Sequence, residues 1–164
     1  MIVLAFDPGL ERLGFGCVRI EGSQIKPVEY GLIQTPKVDL SLRLRQLHDE
    51  AGALMDRVRP NSVATERLLF AVNKTTAFDV AKAIGVVLLA AGQRGIPVTE
   101  YSPPEIKQAV VGVGNADKRQ VQYMVTRILG LADTPKPDDV ADALGVAICH
   151  ALRVRTPGHG TRRS

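Results

Sequence analysis

Four acidic residues stand where the sequence gives them little ordinary reason to be charged: Asp7, Glu66, Asp139 and Asp142. Asp7 ends the apolar run 2–6 and is followed by Pro8 and Gly9, while Glu66 ends a second short run that begins at Ser62. Each interrupts residues expected to be buried, where an ionised carboxylate is costly unless something compensates it. Asp139 and Asp142 follow Pro137 at a spacing that puts both on one face of a helix, among small and apolar neighbours. Asp142 falls inside that helix, where aspartate is a poor former and the dipole gives little help. Asp138 and Asp139 fall in its first turn, where negative charge is favoured, and Asp138 is read as dipole compensation. Taken singly, Asp7-Pro8-Gly9 also reads as a turn and Glu66 as a solvated residue leaving a strand.

Carboxylates gathered at one place repel one another, and a divalent cation is the usual remedy. Oxygen donors without histidine or cysteine select Mg²⁺ or Mn²⁺ over Zn²⁺. Two such ions about 3.5–4 Å apart can activate a water on one side of a phosphodiester and stabilise the leaving oxygen on the other. The expected chemistry is therefore that of a nuclease. His48, His150 and His159 have no ligand spacing, and Cys17 and Cys149 read as small buried residues, with neither a disulfide framework nor a zinc site.

These side chains need elements to position them. The run 2–6 has the pattern of a strand buried on both faces, and 15–20 and 25–34 read as two further strands joined by a turn at 21–23. Apolar residues at helical spacing from Leu40 predict an amphipathic helix that Pro60 stops. A buried strand over 62–65 then leads into Glu66. The segment 76–92 predicts a helix that is apolar almost all round between Ala83 and Ala91, so it needs a partner besides the sheet. A fifth strand is expected over 96–101, a short helix after Pro103-Pro104, and another opened by Asp117 and Gln120 at capping-box spacing and closed at Gly130. The final helix runs from Pro137 to about 152, with Ala141, Ala143, Gly145 and Ala147 expected to allow close packing on a sheet. The order is that of an α/β layer structure, and the two strand-end carboxylates belong at the carboxyl edge of its sheet, where open α/β sheets bind ligands.

A chain of 164 residues, 45% hydrophobic and 23% charged, has the size and composition of one globular domain. We read 1–152 as that domain and 153–164 as a basic flexible tail, with Arg153, Arg155, Arg162 and Arg163 and no acidic residue. The net charge of +4 understates the basic surface if several carboxylates are gathered at one site, which favours a polyanionic partner. The longest uncharged stretch is too short to span a membrane and the amino terminus lacks a secretory pattern, so a cytoplasmic protein is expected.

Four segments, LAFDPGLERLGFGCV, ATERLLFAVNKTTA, EIKQAVVGVGNADKRQV and DDVADALGVAICHA, resemble in order the RuvC family of Holliday junction resolvases, within the ribonuclease H-like superfamily. The resemblance implies a ribonuclease H-like α/β fold with a mixed five-stranded sheet flanked by helices on both faces. It implies that Asp7, Glu66, Asp139 and Asp142 are catalytic metal ligands, and that a homodimer nicks a four-way DNA junction symmetrically in recombination and repair, leaving ends that a ligase can seal. The apolar helix around 83–91 offers a face for that dimer. A branch-migration helicase complex is a further expected partner.

The family places an aromatic three residues after the glutamate to wedge at the junction centre; this chain has Leu69 there and Phe70 next, so Phe70 is the candidate, with Asn73 and Lys74 beside it as DNA contacts. Lys107 matches a basic position of the family. Lys118 and Arg119 sit in the first turn of a helix, the wrong end for positive charge, and a phosphate bound by both side chains and free backbone N–H groups would reconcile them. Two alternatives share parts of this pattern: another ribonuclease H-like nuclease that trims ribosomal RNA precursors, and a non-catalytic junction-binding module. An actin-like ATP-binding relative is a more remote one.

Overall fold

A computed structural model describes residues 1–68 and 74–155. Five strands form one mixed sheet in the order β3-β2-β1-β4-β5, with β1 at Ile2–Asp7, β2 at Arg12–Glu21, β3 at Gln24–Gln34, β4 at Ser62–Glu66 and β5 at Val98–Tyr101. β1, β2 and β3 pair antiparallel as a meander, whereas β4 runs parallel to both β1 and β5. The helices are α1 at Leu40–Val58, α2 at Lys74–Gln93, α3 at Pro103–Val111, α4 at Lys118–Leu129 and α5 at Asp138–Arg155.

The twofold alternation of a strand sends successive side chains to opposite faces, and β1 is covered on both. Val3 and Ala5 belong to a core shared with α3, α4 and α5, while Leu4 and Phe6 belong to a second core built with α1 and α2. That double burial is why β1 reads as a continuous apolar run, and why its first polar residue, Asp7, falls at the edge. Cys17 and Cys149 are buried in opposite layers of this arrangement.

Three expectations are corrected. α5 continues to Arg155, past the boundary expected at 152, because Arg153 pairs with Glu105 at 3.3 Å and lies over the Tyr101 ring, 5.1 Å from its centroid. β5 begins at Val98, although the Pro97 carbonyl still accepts the Val63 N–H. The close approach of α5 to the sheet is seated by glycines of β2. A Cβ on Gly16 would lie 2.7 Å from Leu144 Cδ2, and one on Gly14 would overlap the Asp139 carbonyl. Gly145 instead faces Ile106, Val121 and Val125 on α3 and α4.

Candidate active site

β1 and β4 are parallel neighbours in register, Phe6 opposite Thr65, so their carboxyl ends bring Asp7 and Glu66 to the same edge. The amino-terminal half of α5 crosses this edge. The seat at Gly14, itself the register partner of Asp7, sets how closely Asp139 approaches it. All four carboxylates are half-buried.

Their electrostatics show the cost. Asp7 is pushed up to about 8, first by burial and then by the charges of Asp142, Glu66 and Asp139, with Lys118 opposing. Glu66 is raised by burial and by Asp142, against the pull of Lys107. Asp142 is also raised, by burial above all, even though Lys118 donates to it. Burial first, and neighbouring carboxylates second, thus push three carboxylates from three elements toward the neutral form.

Cations meet the cluster at its rim. Lys118, at the start of α4, places Nζ 3.1 Å from Asp142 Oδ2 and 3.2 Å from Asp138 Oδ2. Asp138 pairs with Lys118 and Gln122, and it reaches the cluster both through Lys118, which it shares with Asp142, and through its own charge, which raises Asp142. Lys107 joins Glu66, Asp142, Lys118 and Ile106 in lining a cleft of about 250 Å³. On the opposite side Arg12 Nη2 comes within 3.2 Å of Asp139 Oδ2, a buried oxygen that nonetheless accepts no hydrogen bond.

Oxygen-only donors, mutual repulsion and an unsatisfied buried carboxylate oxygen fit a hard divalent cation. Among the described residues, no three such side chains close into a metal cage. Two of the carboxylates pair with cations at the rim, Asp142 with Lys118 and Asp139 with Arg12.

Residues 3–150 match the family model for the crossover junction endodeoxyribonuclease RuvC. The chain belongs to the RuvC family. Among curated relatives, the Brevibacillus brevis crossover junction endodeoxyribonuclease RuvC is 50% identical over 92% of this chain and 92% of its own length. The RuvC of Thermus thermophilus superposes with a TM-score of 0.89 at 37% identity, covering 94% of this chain and 96% of that one. The same protein in complex with a Holliday junction substrate gives a TM-score of 0.90. The yeast mitochondrial Holliday junction resolvase, at 15% identity and a TM-score of 0.66, shares the fold.

Of the expected DNA contacts, Lys107 and Lys118 stand beside the carboxylates. Arg119 is exposed and makes no contact with them among the described residues. The N–H groups of the α4 terminus are less free than expected, since Asp117 accepts from the Gln120 N–H and Gln120 from the Asp117 N–H. Phe70 and Asn73 lie outside the described residues, as does the Lys74 side chain, although Lys74 opens α2. Sequence reasoning missed Arg12 and Arg43, which line a cleft with Asp139. The signal for Arg12 was its place at the start of β2, directly after the short link from β1.

Proposed function

We propose that this chain is a structure-selective endodeoxyribonuclease that resolves four-way DNA junctions by symmetric paired nicks, in recombination and DNA repair. The observation that carries this reading is the charge coupling of Asp7, Glu66 and Asp142 across β1, β4 and α5. The Thermus thermophilus RuvC of the same fold was solved with a Holliday junction substrate, which supports the choice of DNA.

In this reading Asp7, Glu66, Asp139 and Asp142 hold Mg²⁺ or Mn²⁺, two ions per active site. When bound, the ions supply a water acidified to hydroxide and positive charge for the phosphate oxygens. The carboxylates orient that chemistry from rigid strand ends and a helix, which limits the reorganisation needed as charge develops. Hydrolysis adds water oxygen to phosphorus and breaks the bond to the 3′ oxygen, leaving a 5′-phosphate and a 3′-hydroxyl fit for ligation. Lys107 and Lys118 neutralise phosphate oxygens in the cleft between α3 and α4. Arg119 adds a peripheral backbone contact, Phe70 wedges at the junction centre, and Asn73 and Lys74 contact the strands beside it.

A homodimer would set two such sites on opposed strands. The outer face of α2 supports this, with Phe78 and Leu89 exposed and nothing within 4 Å of a Cβ placed on Gly85 or Gly92, so a second helix can approach closely. A branch-migration helicase complex is the partner proposed to deliver junctions. No described helix is long and apolar enough to cross a membrane, and we place the enzyme in the cytoplasm with its DNA. The test is purified protein with a synthetic four-way junction and a matched linear duplex, with and without Mg²⁺. Paired symmetric nicks in the junction alone, dependent on metal, are expected. Equal nicking of the duplex would overturn the selectivity, and metal-independent cleavage would overturn the site.

A further inference from the structure

The carboxylate cluster has cations on two sides, Lys107 and Lys118 on one and Arg12 and Arg43 on the other. We propose that Arg12 and Arg43 form a second phosphate-binding notch on the Asp139 side, holding the backbone of the substrate strand beyond the phosphate being cut. The inference rests on the DNA-nuclease reading of the site.

The notch is a cleft of about 340 Å³ whose lining includes Arg12 and Arg43 together with the acids Glu11, Asp79 and Asp139. Arg43 is fixed from behind. Its Nε donates to Thr35 Oγ1 at 2.9 Å, and the buried Thr35 hydroxyl donates in turn to the Leu10 carbonyl at 2.7 Å. The terminal nitrogens Nη1 and Nη2 make no hydrogen bond among the described residues. A planar guanidinium held this way loses little freedom on engaging a phosphate, which it fits with paired donors.

Arg12 also keeps its donors available. Its approach to Asp139 at 3.2 Å forms no hydrogen bond, and half of its side chain is exposed. Of the other acids lining the notch, Asp79 is drawn to Lys82 at 3.3 Å and Glu11 is exposed. With Lys107 and Lys118 on the far side of the carboxylates, a strand crossing the cluster meets positive charge before and after it. The ligand class is accordingly a nucleic-acid phosphodiester backbone, bound without regard to sequence.

The experiment is a fluorescence-anisotropy titration of a labelled four-way junction and of a linear duplex, without divalent metal, across a KCl series. Arg12→Gln and Arg43→Gln are each expected to weaken junction binding several-fold and to lower the slope of log Kd against log salt by about one for each phosphate no longer neutralised. Thr35→Val keeps the charge and loosens the arginine, so it should weaken binding less and leave the slope unchanged. Wild-type affinity and slope in both arginine variants would overturn the notch. Should Arg43→Gln lose its fold by thermal melting, Arg12→Gln decides alone. Wild-type protein that binds duplex and junction equally would sink the junction reading instead, while the salt slopes still report on the notch.

Discussion

The two ends of α5 carry buried polar groups of opposite character. At the amino-terminal end Asp142 is held above its usual range beside Asp7 and Glu66, and Asp139 keeps a buried oxygen without a hydrogen bond. Toward the carboxyl-terminal end His150 is at least as buried, yet both its ring nitrogens are matched: Nε2 lies 2.8 Å from Ser62 Oγ and Nδ1 2.8 Å from the Tyr101 hydroxyl. One end is polar and incomplete, the other polar and closed. A satisfied buried network fixes how elements pack, whereas an unsatisfied cluster in the same helix costs stability and calls for a reason other than packing. The Ser62-His150-Tyr101 chain has the residue types of a nucleophile and base, but its burial leaves no room for a substrate and assigns it to structure.

That contrast can be broken by exchanging the properties of the two ends. The largest effect is expected from Asp142→Asn, which removes a charge from the open end. Junction cleavage in Mg²⁺ should fall by about a thousandfold or more, on the order of 4 kcal/mol of transition-state stabilisation, with junction binding preserved in a gel-shift titration. Full cleavage would return Asp142 to the structural class.

At the closed end, His150→Leu strands two buried hydroxyls and should cost about 2–4 kcal/mol in denaturant unfolding, with cleavage per folded molecule unchanged. The same residue sets a pH dependence. Burial lowers the His150 pKa from 6.5 to about 4, so between those values the unfolded chain binds a proton that the native state refuses. Stability is fully present above pH 6.5 and is lost as pH falls toward 4, by up to about 3 kcal/mol. Unfolding curves across this window should fall more steeply for the wild type than for His150→Leu; parallel curves would mean that the imidazole is not held neutral.

The smallest effect sharpens the same point. Asp7→Asn removes a carboxylate that burial and its neighbours oppose, and it should raise the Tm of the metal-free protein, by roughly 2–4 °C for each kcal/mol relieved. Cleavage should be lost at the same time. A variant less stable than wild type would show that Asp7 is held by contacts as His150 is.

Much of this arrangement was legible in the residues. β1 and the place of Asp7 followed from an apolar run that stops, α1 from its periodicity and Pro60, and α4 from Asp117 and Gln120. Asp142 stood out because a charge inside an apolar helix needs a reason. What stayed hidden depends on which surfaces meet. The small residues of α5 suggested a helix pressed on a sheet, but the hollow is in β2, where Gly14 and Gly16 receive the Asp139 backbone and Leu144. Periodicity reports which face of a strand is buried and says nothing about what fills it. The partners of Lys118 were hidden for a similar reason: the positive charge at the start of α4 suggested a phosphate, and nothing in the sequence showed that Asp138 and Asp142 also meet it from another helix.

The position of α5 in the chain order also bears on how the protein is made. All five strands and four helices leave the ribosome before Asp139 and Asp142 do, and the same late helix supplies much of one hydrophobic layer. A nascent chain therefore lacks two of the four clustered carboxylates for as long as it lacks that layer. On the proposed function, the capacity to cut DNA then arrives in the same step as the finished core, so an immature molecule is a harmless one.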